Sequence, residues 1–431
     1  MSIRSGAPPR GRDELPRPPS RPPSRPSLPE LPGLPRLPRL PELAAGLVAV
    51  LGPLLAVVAL AGIGLVSLSI LNGQLPGAGN GGPQGPIKTP TPSNVINAGQ
   101  NVLGTLLYVK DGNLWQQSGG TARQLTTGGA DAMPSWSADG QWIYFIRTTN
   151  LLGRWPADGV LRTFDLDIPA IVRMHPDGSG LETVLSGKVV RNGNTWQSFL
   201  RQPVPNPAGT KVAVITDAPT PDSSDVVLKI LDLATGALSN PGISEVPPLG
   251  HQDPAWSPDG RTILFVKDAR SGTRGTPTIE RYDVVTKRVA DFTGPGYLAP
   301  AWSPDGRFVA ATKTGSFGTD VVILDSRTGA ELLRLTNDEL SFDPVWSPAG
   351  DAIAFFRVDH GVVDLELAKL DGTAGAWTVG DVIPLTLSAG LDAASRASWF
   401  IPPSELPTAP PSVAPSQQPF PTLHAPTPGP T

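Results

Sequence analysis

Pro254-Ala-Trp-Ser-Pro-Asp-Gly-Arg-Thr-Ile-Leu-Phe265 recurs as Pro300-Ala-Trp-Ser-Pro-Asp-Gly-Arg-Phe-Val-Ala-Ala311. Variant copies occupy residues 134–145 and 344–355, and a worn one occupies 203–214. Each reads as strand, tight turn, strand. In Ser-Pro-Asp-Gly the proline presets φ near −65°, the aspartate can bond its own backbone, and the glycine accepts positive φ without steric cost. That order suits a type I turn closed by a left-handed residue. The glycine alone stands in all five copies, as Gly140, Gly209, Gly260, Gly306 and Gly350. The left-handed position is therefore the strictest local demand.

Behind each turn apolar residues alternate, as in Ile143/Phe145, Val212/Val214, Ile263/Phe265 and Ile353/Phe355. Period two is a strand signal. Two further strands follow in each unit, visible at 321–325 and 331–336. Four short strands repeating every ~45 residues describe a propeller blade. One such sheet cannot cover both its faces, whereas a ring of them can, blade against blade. Asp131-Ala-Met-Pro-Ser-Trp-Ser-Ala-Asp-Gly140, with Arg123-Gln-Leu-Thr126 before it, resembles the TolB-type β-propeller repeat, a relative of the WD repeat. Asn113-Leu-Trp115, Met174-His-Pro-Asp-Gly-Ser-Gly180 and Arg334-Leu-Thr336 share the resemblance, which covers residues 101–402. It implies an all-β, six-bladed β-propeller and a binding role in a bacterial envelope.

The blade count follows from the ends. Residues 105–126 supply three strands with no Pro-x-Trp strand before them, and a lone Ala397-Ser-Trp399 appears with no turn behind it. Residues 396–401 are expected to close the ring as the missing innermost strand of blade 1, so that no sheet edge is left open. Trp136, Trp256, Trp302, Trp346 and Trp399 are then packing residues between blades. Pro205 stands at that position in blade 3.

The rest of the chain differs in composition. Residues 1–42 are rich in Pro, Arg and Ser, with eight Arg against four acids, and predict a disordered cytoplasmic tail. Residues 43–71 carry no charge and are long enough for a single transmembrane helix, so a lipid bilayer is the expected partner of this segment. The basic flank lies before it, and only Lys88 falls in residues 72–100. The positive-inside rule therefore puts the N-terminus in the cytoplasm and the propeller outside, at a cell membrane. Residues 72–100 read as a flexible stalk and 403–431 as a disordered Pro/Ser/Thr-rich tail.

The chain's net charge of −4 gives no general attraction to nucleic acid. It has no cysteine, so disulfides and thiolate chemistry are excluded. None of its four histidines stands at metal-ligand spacing from another, and no Gly-x-Ser-x-Gly elbow or phosphate-binding glycine pattern is in place. No cofactor is expected.

The long insertions 148–168, 187–202, 217–225 and 268–277 all fall on the propeller face opposite the Ser-Pro-Asp-Gly turns, here called the upper face. Insertions gathered on one face of a repeat array mark a binding face. The candidate partner-binding residues in these loops are Trp155, Trp196 and Phe199. Nearer the channel come Arg201, His251, Asp253, Tyr297, Phe342, Asp343 and Arg396. The expected partner is another extracytoplasmic protein or a cell-envelope component. The competing explanation is that the loop aromatics only pack their loops onto the blades. A second functional reading is a hydrolase or lyase acting at the channel mouth through His251, Asp253, Asp343 and Arg396. A third puts the function in the N-terminal tail.

Overall fold

The computed structural model describes residues 102–221, 224–243, 250–268 and 276–407. The N-terminal tail, the span 43–71, the stalk 72–100 and the C-terminal tail from residue 408 lie outside the described residues. Among the described residues no helix is long and apolar enough to cross a membrane.

Six four-stranded antiparallel sheets form the blades, and one separate hairpin stands beside them. The innermost strands of blades 2 to 6 are Asp131–Trp136, Leu200–Pro205, His251–Trp256, Tyr297–Trp302 and Ser341–Trp346. Blade 1 takes its innermost strand, Ser398–Phe400, from the far end of the chain and pairs it with Val102–Lys110 through Thr105↔Phe400, Leu106↔Trp399 and Leu107↔Ser398. The expected closure is present. Val102 and Ile401 both lie at the turn side of that pair, so the described chain enters and leaves the ring on the lower face.

The apolar interior is divided into six cores, one per seam. Leu107, Val109 and Leu114 of blade 1 meet Trp136, Ile143 and Phe145 of blade 2. Tyr144 and Ile146 of blade 2 meet Val212 and Val214 of blade 3, and the pattern continues to Leu106 and Tyr108 against Phe356 and Leu365. Alternation explains it: successive residues of each second strand point to opposite seams. The repeat tryptophans sit in these seams, and those of blades 4 and 5 donate their indole N–H to the preceding blade, to Val204 O and Ala255 O at 3.1 Å. Pro205 leaves the seam between blades 2 and 3 without one. Trp142 packs there instead, with Arg173 over its ring at 4.1 Å and His175 stacked at 4.1 Å.

The 148–168 insertion is not an irregular loop. Strands Ile143–Ala157 and Val160–Met174 stay paired without a break from Ile143↔Met174 to Ala157↔Val160. The second and third strands of blade 2 thus run on past the ring as an arm, turning at Asp158-Gly159. The hairpin of Lys188–Arg191 and Asn194–Gln197 packs on it. Gly153 sets the approach, since a Cβ there would lie 2.7 Å from Thr195 O.

Candidate functional site

The central channel is built from one irregularity repeated five times. Each innermost strand of blades 2 to 6 skips register at the residue before its proline, between Ala132/Ser135, Arg201/Val204, Gln252/Ala255, Leu298/Ala301 and Phe342/Val345. The residue at that bulge is left-handed each time: Met133 (φ 55°), Gln202 (52°), Asp253 (53°), Ala299 (50°) and Asp343 (51°). A non-glycine residue in that region costs roughly 1–2 kcal/mol. A bulge also takes an amide out of the ladder, and a buried amide needs a partner.

The preceding blade supplies it. Met133 N–H donates to Ser395 Oγ at 3.0 Å, Gln202 N–H to Met133 Sδ at 3.3 Å, and Asp253 N–H to Gln202 Oε1 at 2.8 Å. Ala299 N–H donates to Asp253 Oδ2 at 3.0 Å. Ala299 has no acceptor to pass on, so Asp343 N–H turns to Thr312 Oγ1 at 2.9 Å. These bonds form a relay that ties five successive seams, from blade 1 to blade 6. Blade 1 has Ala397 in place of the proline, and Arg396 before it is not left-handed.

Met133, Gln202, Asp253, Asp343 and Arg396 line a cavity of about 390 Å³ together with the strand prolines and Trp256, Trp302, Trp346 and Trp399. Arg396 reaches across it, donating from Nη1 to Pro300 O of blade 5 at 3.0 Å and placing Nη2 3.7 Å from Asp253 Oδ1 of blade 4. Burial pushes the Asp343 carboxyl up to about 7; Arg396 opposes that rise and the negative charge of Asp253 adds to it.

Of the ten candidate residues, Asp253, Asp343 and Arg396 come together in this cavity. His251 does not join them. It is buried against Phe265 at 4.8 Å, its Nδ1 accepts Leu228 N–H at 3.1 Å, and burial followed by Lys267 pulls it down to about 4. It is a neutral core histidine at the pH of most buffers. Phe342 packs edge-on against Phe356 at 5.7 Å, and Tyr297 lies under Lys313 Nζ at 5.3 Å. Trp155 and Trp196 meet in the arm at 6.0 Å, with Phe164 edge-on to Trp196 at 5.0 Å. These indoles join the two hairpins and are half-buried. Phe199 and Arg201 are exposed on the rim of blade 3.

Two kinds of residue escape a reading of the sequence. Gln202, Thr312 and Ser395 matter only once the bulges have turned their amides inward. Aligning the five copies on the proline puts Gln202 in register with Asp253 and Asp343, which was the available signal. Phe317, 96 % exposed, has no such signal; its loop is held by Glu339, whose carboxylate accepts the Ser316 and Phe317 amides at 3.0 and 3.1 Å.

No family model and no curated protein match the sequence. Among solved structures, TolB from Acinetobacter baumannii matches with a TM-score of 0.49 and 20 % identity, over 69 % of this chain and 66 % of that one. The match thus spans just under two thirds of that TolB. A putative TolB from Agrobacterium tumefaciens gives 0.45 and 15 %, over 69 % of this chain and 98 % of that one. An oligogalacturonate lyase from Vibrio parahaemolyticus gives 0.42 and 13 %, over 65 % and 92 %. The six-bladed ring itself rests on the strand pairings described above.

Proposed function

We propose that this chain is an extracytoplasmic binding module, held at a membrane through residues 43–71, whose upper face engages a protein of the cell envelope. One observation carries the reading: large apolar side chains are left exposed along the arm and the rim beside it. Leu152 is 73 % exposed, Val160 58 %, Val190 61 % and Phe199 52 %. Four large apolar side chains exposed on one arm and the rim next to it are candidate contact points for a partner.

Hydrolysis or elimination at the channel mouth is the second reading. Asp253, Asp343 and Arg396 do share a cavity, but the histidine that would complete a proton-transfer set is committed to Leu228.

Photoreactive residues at Val160 and Phe199 test the first reading in intact cells, with Val285, 64 % exposed on the lower face, as control. The same envelope protein should be captured from both upper positions and not from 285. A Leu152→Ser, Val190→Ser variant should weaken that capture. Equal capture from position 285, or capture indifferent to the two serines, would sink the reading.

A further inference from the structure

The central channel is lined by none of the exposed apolar side chains of the arm and rim. Its charged groups come from three blades: Arg396 from blade 1, Asp253 from blade 4 and Asp343 from blade 6. Their bonding is uneven. Asp253 accepts one hydrogen bond on each oxygen, Gln202 Nε2–H at 2.6 Å on Oδ1 and the Ala299 amide on Oδ2. Arg396 Nη2 makes no hydrogen bond and stands 3.7 Å from Asp253. The Asp343 carboxyl accepts no hydrogen bond among the described residues; the bond recorded for Asp343 is made by its amide.

Two carboxylates and one guanidinium leave the ring one positive charge short. Burial, opposed by Arg396 and joined by the negative charge of Asp253, holds the Asp343 proton toward neutral pH. The charged groups facing Asp343 are Arg396 and Asp253; Thr312, which meets its amide, is neutral. The site is reached from solvent, since Arg396 keeps 23 % of its side-chain surface exposed and Asp253 12 %. The strand prolines and four indoles make up much of the remaining wall, with Trp302 and Trp399 half-exposed, alongside Met133, Gln202 and small serine and alanine side chains.

We propose that this channel binds a small organic cation, an amine or quaternary ammonium, with its charge against Asp343 and Asp253 and its carbon skeleton against the prolines and indoles. Aromatic faces beside a carboxylate are the environment such cations take. A cavity of about 390 Å³ falls in the size range of small-molecule sites. A metal ion fits less well: among the described residues no three ligating side chains converge, and a guanidinium sits among the two carboxylates. An anion would meet two carboxylates at once.

Titration calorimetry on the full-length chain in a neutral detergent tests this, with choline as cationic probe, propionate as anionic probe and calcium as metal probe. Choline should bind at one site and drive a proton off Asp343. The heat should then depend on the buffer's ionisation enthalpy, and affinity should rise from about pH 6 to about pH 8. Asp343→Asn should weaken choline by roughly tenfold or more and abolish the proton release. Arg396→Gln should tighten choline, the reverse of what an anion site predicts. Should Arg396→Gln fail to fold, the asparagine variant and the proton count still decide. Propionate or calcium binding in place of choline would overturn the proposal. So would an asparagine variant that binds choline like the parent.

Discussion

Gln202 shows what one side chain does in this ring. Its Oε1 accepts the Asp253 amide and its Nε2 donates to the Asp253 carboxylate, so it ties blade 3 to blade 4 at both ends of one residue. Gln202→Ala leaves a bulge amide and a carboxylate oxygen without partners. A loss of about 1–3 kcal/mol is expected in chemical denaturation, against less than about 0.5 kcal/mol for Phe317→Ala, whose ring touches solvent. Equal losses would mean that the relay does not stabilise the ring. At this scale the site was half legible. Asp253, Asp343 and Arg396 were found because charge at the inner end of a repeat is conspicuous. His251 and Phe342 were drawn in by the same logic, one or two residues away. The bulge decides between neighbours, because on a strand one residue is the difference between channel and seam.

At the scale of the element, the arm is where pattern reading and structure part. Gly153 and Pro156 interrupt the alternation of residues 148–168, so the stretch reads as a loop. In the ring those residues are paired strands. Gly153 lies where Thr195 O approaches, and Pro156 stands near the tip opposite Leu161. Glycine there serves close packing between hairpins, a tertiary requirement that local periodicity does not record. Gly153→Val would set Cβ 2.1 Å from Leu166 Cδ1 and 2.7 Å from Thr195 O. The two hairpins should separate and the emission of Trp155 and Trp196 should shift to the red. The ring's unfolding should move by less than about 1 kcal/mol, since no blade seam is touched. A variant with unchanged fluorescence would show that the hairpins do not depend on that approach. The turns of the repeat, by contrast, were legible to the residue: Gly140, Gly209, Gly260, Gly306 and Gly350 all have positive φ, between 65° and 77°.

At the scale of the whole molecule, six separate cores are held in a circle by a single three-residue strand. Ser398–Phe400 covers the edge of Val102–Lys110, and Trp399 closes the seam between blades 6 and 1. Removing residues 396–431 should expose Leu106 and Leu107 and cost more than about 3 kcal/mol, seen as loss of a single cooperative thermal transition. Removing only 408–431 should leave that transition in place. If both truncations behave alike, the strand is not what closes the ring. The blade count and the closure were readable from sequence alone because their causes are local and countable: a turn that demands glycine, an alternation of period two, and one strand missing at the start where one is spare at the end. What faces the channel was decided only in three dimensions. Five bulges each rotate one residue inward, and strands nearly 150 residues apart in the chain deliver Asp253, Asp343 and Arg396 to one cavity. The repeat places each of these charges at an inner strand, but only the closed ring and its bulges decide that the three share one cavity while His251 and Phe342 turn into the seams.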